Sequence, residues 1–355
     1  MSTDPLDRAD VRQRVQKALN GFVARRLTLL GDISAELLPL ADALTELLAG
    51  GKRLRPAFCY WGYRGAGGPD ADAIVEAAAA LELFQACALI HDDVMDGSDT
   101  RRGKPAVHRR FASMHRSEGW AGDPEMFGTG AAILLGDLCL SWSDQMLGSS
   151  GLPVERLVAG REVYDEMRTE LMGGQYLDLL EQARGGGSVE RALRVARYKS
   201  AKYTIEKPLH LGAALANADR ELLEGYSGYG LPLGEAFQLR DDVLGVFGDP
   251  TVTGKPAGDD LREGKRTALV AMALEAAGPA QTAAVRRHLG DPHLSDEGLA
   301  QLRSVIEDTG ALSRVEALID QRTDQALTAL QAAPMDEQAR GVLRCLAAAA
   351  TCRSL

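Results

Sequence analysis

The chain is organised around residues 81–105, LELFQACALIHDDVMDGSDTRRGKP. Up to Asp96 it contains neither glycine nor proline and has apolar residues on most faces, which predicts a buried helix. Three carboxylates, Asp92, Asp93 and Asp96, lie at the end of this helix. The spacing i, i+4 places Asp92 and Asp96 on one face, a single turn apart. The sequence therefore predicts an acidic cluster at the end of a core helix.

Three cations, Arg101, Arg102 and Lys104, follow these acids in a loop that contains glycine and proline. Buried carboxylates repel one another and are costly to desolvate unless a cation neutralises them. Because no cysteine and no second histidine lies among them, they suit Mg²⁺ better than zinc. Mg²⁺ bridges carboxylates to substrate phosphates, and arginines are natural phosphate ligands. The pattern predicts a metal–diphosphate site; the alternative is a solvated acidic helix end with a basic loop.

A second stretch, FQLRDDVLGVFGDPTVTGKPAGDDLREGKRT at residues 237–267, repeats this organisation. The pair Asp241 and Asp242 again closes an apolar helical run, 149 positions after Asp92, and a glycine-rich loop with lysines again follows. Duplication of the whole pattern favours the metal–diphosphate interpretation over a solvated surface. We expect the two helix–loop units to form the two walls of one diphosphate site.

The composition favours an all-α protein. Ala, Leu, Glu and Arg dominate the 355 residues, aromatic residues make up only 5%, and runs of β-branched residues are short. Length alone suggests two domains, but no linker marks a boundary, so we expect one domain over residues 1–355. The 40 basic and 50 acidic side chains give a net charge of −10, and there is no basic tract, which argues against nucleic acid as a partner.

The cysteines and the N-terminal sequence indicate a reduced compartment. The five cysteines are odd in number and lack metal-ligand spacing, so they are expected to be small core residues. No secretory signal pattern opens the sequence, and no apolar run is expected to be long enough to span a bilayer. The sequence predicts a cytoplasmic protein without a membrane span.

The periodicity of the apolar residues predicts that most of the chain is α-helical. Two helices are expected in residues 5–49, broken at Gly31-Asp32, and a series of helices in residues 267–353, broken near residues 278, 290 and 333. The other predicted helical segments are 57–64, 71–96, 124–148, 153–183, 188–217 and 219–247. We expect the last part of the chain, 271–355, to serve packing.

The segment GGKRLRP, residues 50–56, contains three cations within four positions at a predicted helix start. Backbone amides at a helix start and side-chain cations together make an anion site. An ordinary basic loop is the alternative when the segment is considered alone.

Six motifs, standing in this order, resemble those of the trans-isoprenyl diphosphate synthases, the polyprenyl synthetase family. They are GGKRLRP (50–56), DDVMD followed by RRGKP (92–105), GQYLD (174–178), KS (199–200), FQLRDD (237–242), and GK with DLREGK (254–265). The resemblance covers about residues 45–270, and the wording DDVLGVFGDP is most similar to geranylgeranyl diphosphate synthases of actinobacteria. It implies the all-α isoprenoid synthase fold, a single helical bundle around a central active-site cavity, and a homodimer.

The resemblance also implies an activity: condensation of isopentenyl diphosphate with an allylic diphosphate, using three Mg²⁺. Asp92, Asp96 and Asp241 would hold the metal, with Asp93 and Asp242 in support. The resemblance implies that the allylic diphosphate is contacted by Arg101, Lys199, Lys255 and Lys265. It implies that isopentenyl diphosphate is bound by Lys52, Arg55, Gln85, Arg102 and Phe237. It also implies a place beside the developing carbocation for Gln175, Ser200 and Gln238. Loss of a proton to the departing pyrophosphate would complete the reaction, so no histidine base is required.

Two positions depart from the family pattern. The third aspartate of the second motif is replaced by Gly245, for which Asp249 or the pair Asp259-Asp260 offers support from outside; and Ser200 stands where threonine is more frequent. Neither change removes the primary ligands, so we expect activity.

Side chains that precede Asp92 on its helix are expected to limit the product. Cys87 and Ala88 are small, and Phe84 is the first large residue, at roughly 12 Å from Asp92 for a rise of ~1.5 Å per residue. This predicts geranylgeranyl diphosphate; Phe84 as an ordinary core aromatic is the alternative.

The sequence leaves other activities open: a synthase of shorter or longer products, a terpene cyclase, or a non-catalytic subunit of a heteromeric synthase. The cations Lys52, Arg55 and Arg102 argue against a cyclase, which needs one diphosphate site. The intact acids of the first motif argue against a non-catalytic subunit.

Overall fold

A computed structural model describes residues 9–185, 187–248 and 258–351 of the chain. Within these residues the protein is all-α apart from two strands of two residues each. The helices are α1 Val11–Ile33, α2 Leu38–Leu48, α3 Leu54–Gly65, α4 Asp72–Asp96, α5 Val107–Ser117, α6 Pro124–Gly148, α7 Val154–Arg184, α8 Val189–Val195, α9 Lys207–Ala216, α10 Arg220–Phe247, α11 Asp259–Arg262, α12 Ala268–Ala276, α13 Pro279–His288, α14 Asp296–Asp308, α15 Ala311–Ala332 and α16 Glu337–Thr351. A 3-10 turn, Ala35–Leu37, precedes α2, and a π-helix, Ala196–Glu206, lies between α8 and α9.

Contacts divide the chain into two compact units, each with its own core. The first contains the residues up to Gly160 together with Gly212–Asn217, and the second contains Arg161–Leu211 and the residues from Ala218 onward. The expectation of one domain over 1–355 stays a prediction.

In the first unit, α4 is the central helix, and it packs against α1, α3 and α6. Its middle is apolar on most faces, and Ala77 to Leu81, Leu83 and Phe84 are all buried. The helix α6 begins at a side-chain cap, because the Asp123 Oδ1 accepts a hydrogen bond of 2.9 Å from the Glu125 amide and Pro124 occupies the first turn.

In the second unit, α10 is the central helix, and it packs against the π-helix and α15. The Asp219 Oδ1 caps its start by accepting a 2.9 Å hydrogen bond from the Leu222 amide. Leu239, Val243 and Val246 lie on its buried face, in a cluster with residues of α12, α14 and α15. This packing leaves the end of α10, with the second aspartate pair, next to α11.

The sequence predicted most helices but not all of their ends. The segments 71–96, 124–148 and 219–247 are helical almost as predicted. The break at Gly31-Asp32 is wrong, because α1 continues to Ile33 and the chain turns at Ser34. The helix α5 and the break at Thr309-Gly310 were not predicted. The segment 188–217 contains two α-helices separated by a π-helix.

The expectation that no apolar run is long enough to span a membrane is wrong. Both α4 and α6 are long and apolar enough to do so, judged by length and composition alone. The apolar window of α4 is 72% buried, as in the core helix of a folded domain, whereas that of α6 is only 39% buried.

Candidate active site

The first aspartate motif lies where α4 ends. Gly97, with φ of 66°, terminates the helix directly after Asp96, and its amide donates to the Asp93 carbonyl. Asp92 and Asp96 are half-buried, whereas Asp93 is buried, with 2% of its surface exposed. Asp92 is therefore more exposed than Asp93, whereas both carboxylate oxygens of Asp96 are shielded from solvent.

A tight hairpin turns the following cations back onto these acids. The strands β1, Thr100–Arg101, and β2, Lys104–Pro105, are antiparallel, and both turn residues, Arg102 and Gly103, have positive φ (55° and 74°), as a two-residue turn requires. The Arg101 Nε donates to both carboxylate oxygens of Asp93 at 3.0 and 3.3 Å, and its Nη2 lies 3.7 Å from the Asp92 Oδ2. The charge of Arg101 thereby neutralises Asp93, as expected for a carboxylate that supports the metal ligands.

The neighbouring Arg102 contacts the GGKRLRP segment. Its Nη1 donates to the carbonyls of Leu47 and Gly50 at 3.1 and 3.0 Å. Partial desolvation lowers the pKa of Arg102, and the nearby cations Arg53, Arg101 and Arg55 lower it further against the opposing charge of Glu82. Arg102 thus lies within electrostatic range of three other guanidinium groups, of which Arg53 and Arg101 are paired with Glu82 and Asp93.

Within GGKRLRP the three cations have different environments. Lys52 is exposed, Arg55 is half-buried, and Arg53 is buried against Glu82. Lys52 and Arg55 therefore remain suited to a ligand, while Arg53 serves the interior. Sequence reasoning did not single out Arg53, because three cations so close together give no periodic signal for which one points inward.

The predicted chain-length residues lie on α4, before the aspartates. Phe84 and Cys87 are buried, with 1% and 3% of their surfaces exposed, and Ala88 and Gln85 are half-buried. Burial raises the pKa of the Cys87 thiol to about 12, so this side chain is a neutral packing group.

The second aspartate motif lies near the end of α10, in the second unit. Asp241 is half-buried and Asp242 is buried, and the Gln238 amide donates to the Asp242 Oδ1 at 2.7 Å. Burial raises the pKa of Asp242, and the charges of Asp260 and Asp241 raise it further. Phe237, one turn before Asp241, is buried.

Asp260 occupies the space beside Gly245, where the family pattern has a third aspartate. A Cβ atom at position 245 would overlap the Asp260 Oδ2 and lie 2.7 Å from its Cγ, closer than real Cβ atoms approach a neighbour. Lys265 lies 3.5 Å from the Asp260 Oδ1 and 2.7 Å from the Glu263 Oε2. A carboxylate from α11 thus lies beside the position where α10 lacks one, and support of the metal by the pair Asp259-Asp260 stays a prediction.

The π-helix places Lys199 and Ser200 against α7. Gly174 makes this close approach possible, because a Cβ there would lie 2.5 Å from the Lys199 backbone nitrogen. The Lys199 Nζ donates to the Asp178 Oδ2 at 2.7 Å, while Gln175 and Ser200 are half-buried. π-Helical turns are frequent at functional sites. The predicted residues of this region therefore lie at one crossing of two helices.

Two predicted positions, Lys255 and Asp249, lie outside the described residues. Among the residues that are described, no group of three or more His, Cys, Asp or Glu side chains is arranged to hold a metal ion by itself. The aspartates of the two motifs fit Mg²⁺, because this ion is bound through one or two carboxylates together with water and substrate phosphates. Asp92 in the first unit and Asp241 in the second are half-buried oxygen donors of this kind.

Comparison with known proteins decides the family. The sequence model described as polyprenyl synthetase matches residues 39–306. The chain belongs to the polyprenyl synthetase family. The matched range contains the segment 45–270, so the predicted family is confirmed, and with it the all-α isoprenoid synthase fold.

Relatives and solved structures agree. The chain is 34% identical over 316 residues to a geranylfarnesyl diphosphate synthase of Aeropyrum pernix (86% of this chain, 92% of the relative) and 33% identical over 292 residues to a geranylgeranyl diphosphate synthase of Mycobacterium tuberculosis (82% and 77%). A crystal structure of geranylgeranyl pyrophosphate synthase from Corynebacterium glutamicum, complexed with isoprenyl diphosphate and magnesium, superposes with a TM-score of 0.94 at 42% identity, covering 100% of both chains.

The protein is accordingly a Mg²⁺-dependent trans-prenyl diphosphate synthase, a prenyltransferase of isoprenoid biosynthesis. The relatives differ in product, since geranylfarnesyl diphosphate is one isoprene unit longer than geranylgeranyl diphosphate. Family membership therefore establishes the reaction class and leaves the chain length open.

Proposed function

We propose that the protein condenses isopentenyl diphosphate with dimethylallyl, geranyl or farnesyl diphosphate and that its main product is geranylgeranyl diphosphate. The hairpin is the observation that supports two diphosphate-binding regions. Of its two consecutive arginines, Arg101 contacts the aspartates of α4 and Arg102 contacts the GGKRLRP segment. One tight turn thus links a carboxylate site, suited to a metal-bound diphosphate, to a cation site, suited to a second diphosphate without metal.

In this proposal Asp92, Asp96 and Asp241 hold the Mg²⁺, three ions per active site, and Asp93 and Asp242 support them. When bound, the metal supplies positive charge that stabilises the departing pyrophosphate. Asp93 is held by Arg101, and Asp242 by Gln238, so the supporting acids keep their places without metal.

The cations and polar groups divide between the two substrates. Arg101, Lys199, Lys255 and Lys265 bind the allylic diphosphate, and Lys52, Arg55, Gln85 and Arg102 bind isopentenyl diphosphate. Phe237 packs on its hydrocarbon part. Gln175, Ser200 and Gln238 lie beside the carbocation, which the isopentenyl double bond attacks, and the proton then leaves to the pyrophosphate. The pairs Lys199–Asp178 and Lys265–Glu263 keep two of these lysines in fixed positions before substrate arrives.

Product length follows from the buried face of α4. In this proposal the growing chain passes the small residues Cys87 and Ala88 and stops at Phe84, a large side chain held in place by its burial in the core. A chain of twenty carbons is the product that this geometry favours.

We also propose that the protein is a homodimer, with α6 at the interface. Met126, Ile133 and Leu134 have 71%, 44% and 61% of their surfaces exposed, and their spacing of seven and eight residues places them on one face of α6. A second copy would cover the same face by two-fold symmetry, which closes the assembly. Light scattering after size exclusion should show a dimer that Leu134→Glu weakens, whereas Glu190→Gln, on the second unit's surface, leaves the mass unchanged; a monomeric wild type contradicts this interface.

With α4 buried in its own core and α6 covered by a second copy, neither apolar helix needs a membrane. The cytoplasmic location, the absence of a membrane span and the absence of a nucleic-acid partner stay predictions from the sequence.

Product analysis tests the proposed function. Purified protein, Mg²⁺ and isopentenyl diphosphate are incubated separately with dimethylallyl, geranyl and farnesyl diphosphate, and the products are identified by mass spectrometry. We expect the twenty-carbon diphosphate, and we expect Asp92→Asn and Asp241→Asn each to lower kcat by about 10²-fold or more. Asp137→Asn, on the same unit as Asp92 with 60% of its side chain exposed, is the matched control. Absence of condensation with every primer would refute the proposal.

A further inference from the structure

Arg53 has a backbone conformation that an arginine adopts rarely. It lies directly before α3 with φ of 54° and ψ of 36°, in the left-handed region that favours glycine. Glycine precedes it twice, at positions 50 and 51, so the turn itself has glycine available. A residue kept in a strained conformation is held by its surroundings, which points to the side-chain contacts of Arg53 as the reason for its presence.

Those contacts join three helices. The guanidinium donates to the Glu82 carboxylate on α4, to the Gln16 Oε1 on α1 at 2.5 Å, and to the Leu48 carbonyl at the end of α2. Arg53 and Glu82 are both buried, with 4% and 6% of their surfaces exposed. An arginine fork suits this position because it offers several donors in fixed directions.

The buried pair fixes the direction of the adjacent cations. Because Arg53 points into the core, its neighbour Lys52 is exposed and Arg55 is half-buried. Arg102 approaches the same segment from the other side, since its Nη1 donates to the Leu47 and Gly50 carbonyls. The GGKRLRP segment is thus held to α1, α2 and α4 through Arg53 and to Arg102 through the Gly50 carbonyl.

Glu82 has a second effect on this region. The neighbouring guanidinium groups lower the pKa of Arg102, whereas the negative charge of Glu82 raises it. Neutralising Glu82 would leave Arg53 buried with an uncompensated charge and would increase the repulsion among the remaining cations.

We propose that Arg53 and Glu82 are a positioning pair that holds the GGKRLRP segment in the shape that binds the diphosphate of isopentenyl diphosphate. Neither side chain touches the substrate, and Lys52, Arg55 and Arg102 make that contact. The inference rests on the proposed function of these three cations.

Steady-state kinetics of Glu82→Gln tests the pair. Isopentenyl diphosphate is varied at saturating farnesyl diphosphate, and the two substrates are then exchanged. We expect the KM for isopentenyl diphosphate to rise about 10- to 100-fold, because a small displacement of the cations that bind it weakens its binding. The KM for farnesyl diphosphate should stay unchanged.

Glu181→Gln is the matched control. Glu181 has the same exposed fraction as Glu82, 6%, and is paired with Arg191 at 2.9 Å, but it lies in the second unit on the last turn of α7. Loss of this pair, in which the glutamate is buried and the arginine has 42% of its side chain exposed, should change neither KM, although it lowers stability. Equal changes in KM in Glu181→Gln and Glu82→Gln would identify a general effect of neutralising a buried glutamate and overturn the proposal.

Arg53→Lys covers the case in which Glu82→Gln does not fold. Lysine keeps the charge opposite Glu82 but cannot also reach Gln16 and the Leu48 carbonyl. The expected result is the same selective rise in the KM for isopentenyl diphosphate. An unchanged KM in a folded Arg53→Lys or Glu82→Gln enzyme refutes the positioning role, whereas a wild type that condenses no isopentenyl diphosphate refutes the proposed function instead.

Discussion

Replacement of Gly245 by alanine should destabilise the protein, against the usual effect of this change in a helix. In an ordinary helix interior, glycine to alanine stabilises by roughly 0.5–1 kcal/mol. Here the new Cβ would overlap the Asp260 Oδ2 and lie 2.7 Å from its Cγ, so α11 or the Asp260 side chain must move. Overpacking of this kind costs about 1–3 kcal/mol, so we expect a net loss of about 1 kcal/mol in the free energy of unfolding, measured by urea denaturation.

Gly245→Asp, which restores the family pattern, should destabilise more than alanine. It adds a carboxylate beside Asp242, which is buried and has a raised pKa, and beside Asp260. Two like charges about 4 Å apart repel by about 4 kcal/mol at an effective dielectric constant of about 20, before relaxation or metal binding reduces that value. The variant should also need more Mg²⁺ for half-maximal activity, because the three acids no longer have their native arrangement.

Asp260→Ala tests whether overlap with the Asp260 side chain causes the loss of stability. The Asp260 Cβ lies 3.5 Å from the position that a Cβ atom at residue 245 would take, which is ordinary contact, so alanine at 260 leaves room for a side chain at 245. The double variant Gly245→Ala with Asp260→Ala, which adds no charge at residue 245, should therefore recover stability, with a coupling energy of about 0.5–3 kcal/mol. Asp259→Ala is the control and should show no coupling. The reasoning is refuted when Gly245→Ala is as stable as, or more stable than, the wild type.

Two further predictions concern a core aromatic and a half-buried histidine. Phe84→Ala should lengthen the product seen by mass spectrometry and destabilise the first unit by about 3–5 kcal/mol, whereas an unchanged product removes Phe84 from chain-length control. Burial lowers the pKa of His210 to about 4, so the unfolded chain binds its proton at higher pH than the native protein, and stability should be complete above about pH 6.5 and fall as the pH decreases toward 4. Urea denaturation at about pH 7 and about pH 5 should show a smaller difference for His210→Asn than for the wild type, and an equal difference contradicts the assignment.

The sequence alone determined the features that depend on local periodicity. The apolar run before Asp92 has no helix breaker, so α4 was predictable almost to its ends, and the spacing of Asp92 and Asp96 follows from the helix itself. The order of the motifs identified the family, and comparison with known proteins confirmed it. Oxygen-only donors likewise indicate Mg²⁺ from the residue types alone.

The tertiary structure decided the features that depend on packing between distant residues. Nothing in GGKRLRP shows that Arg53 points inward while Lys52 points outward, because that choice depends on Glu82 and Gln16, which are supplied by two other helices. Nor does the sequence show that the Asp260 carboxylate fills the space beside Gly245, since α11 is packed against α10 by its own apolar contacts. Periodicity fixes which residues share a face of one helix, whereas the partner of a side chain is fixed only when helices pack against each other.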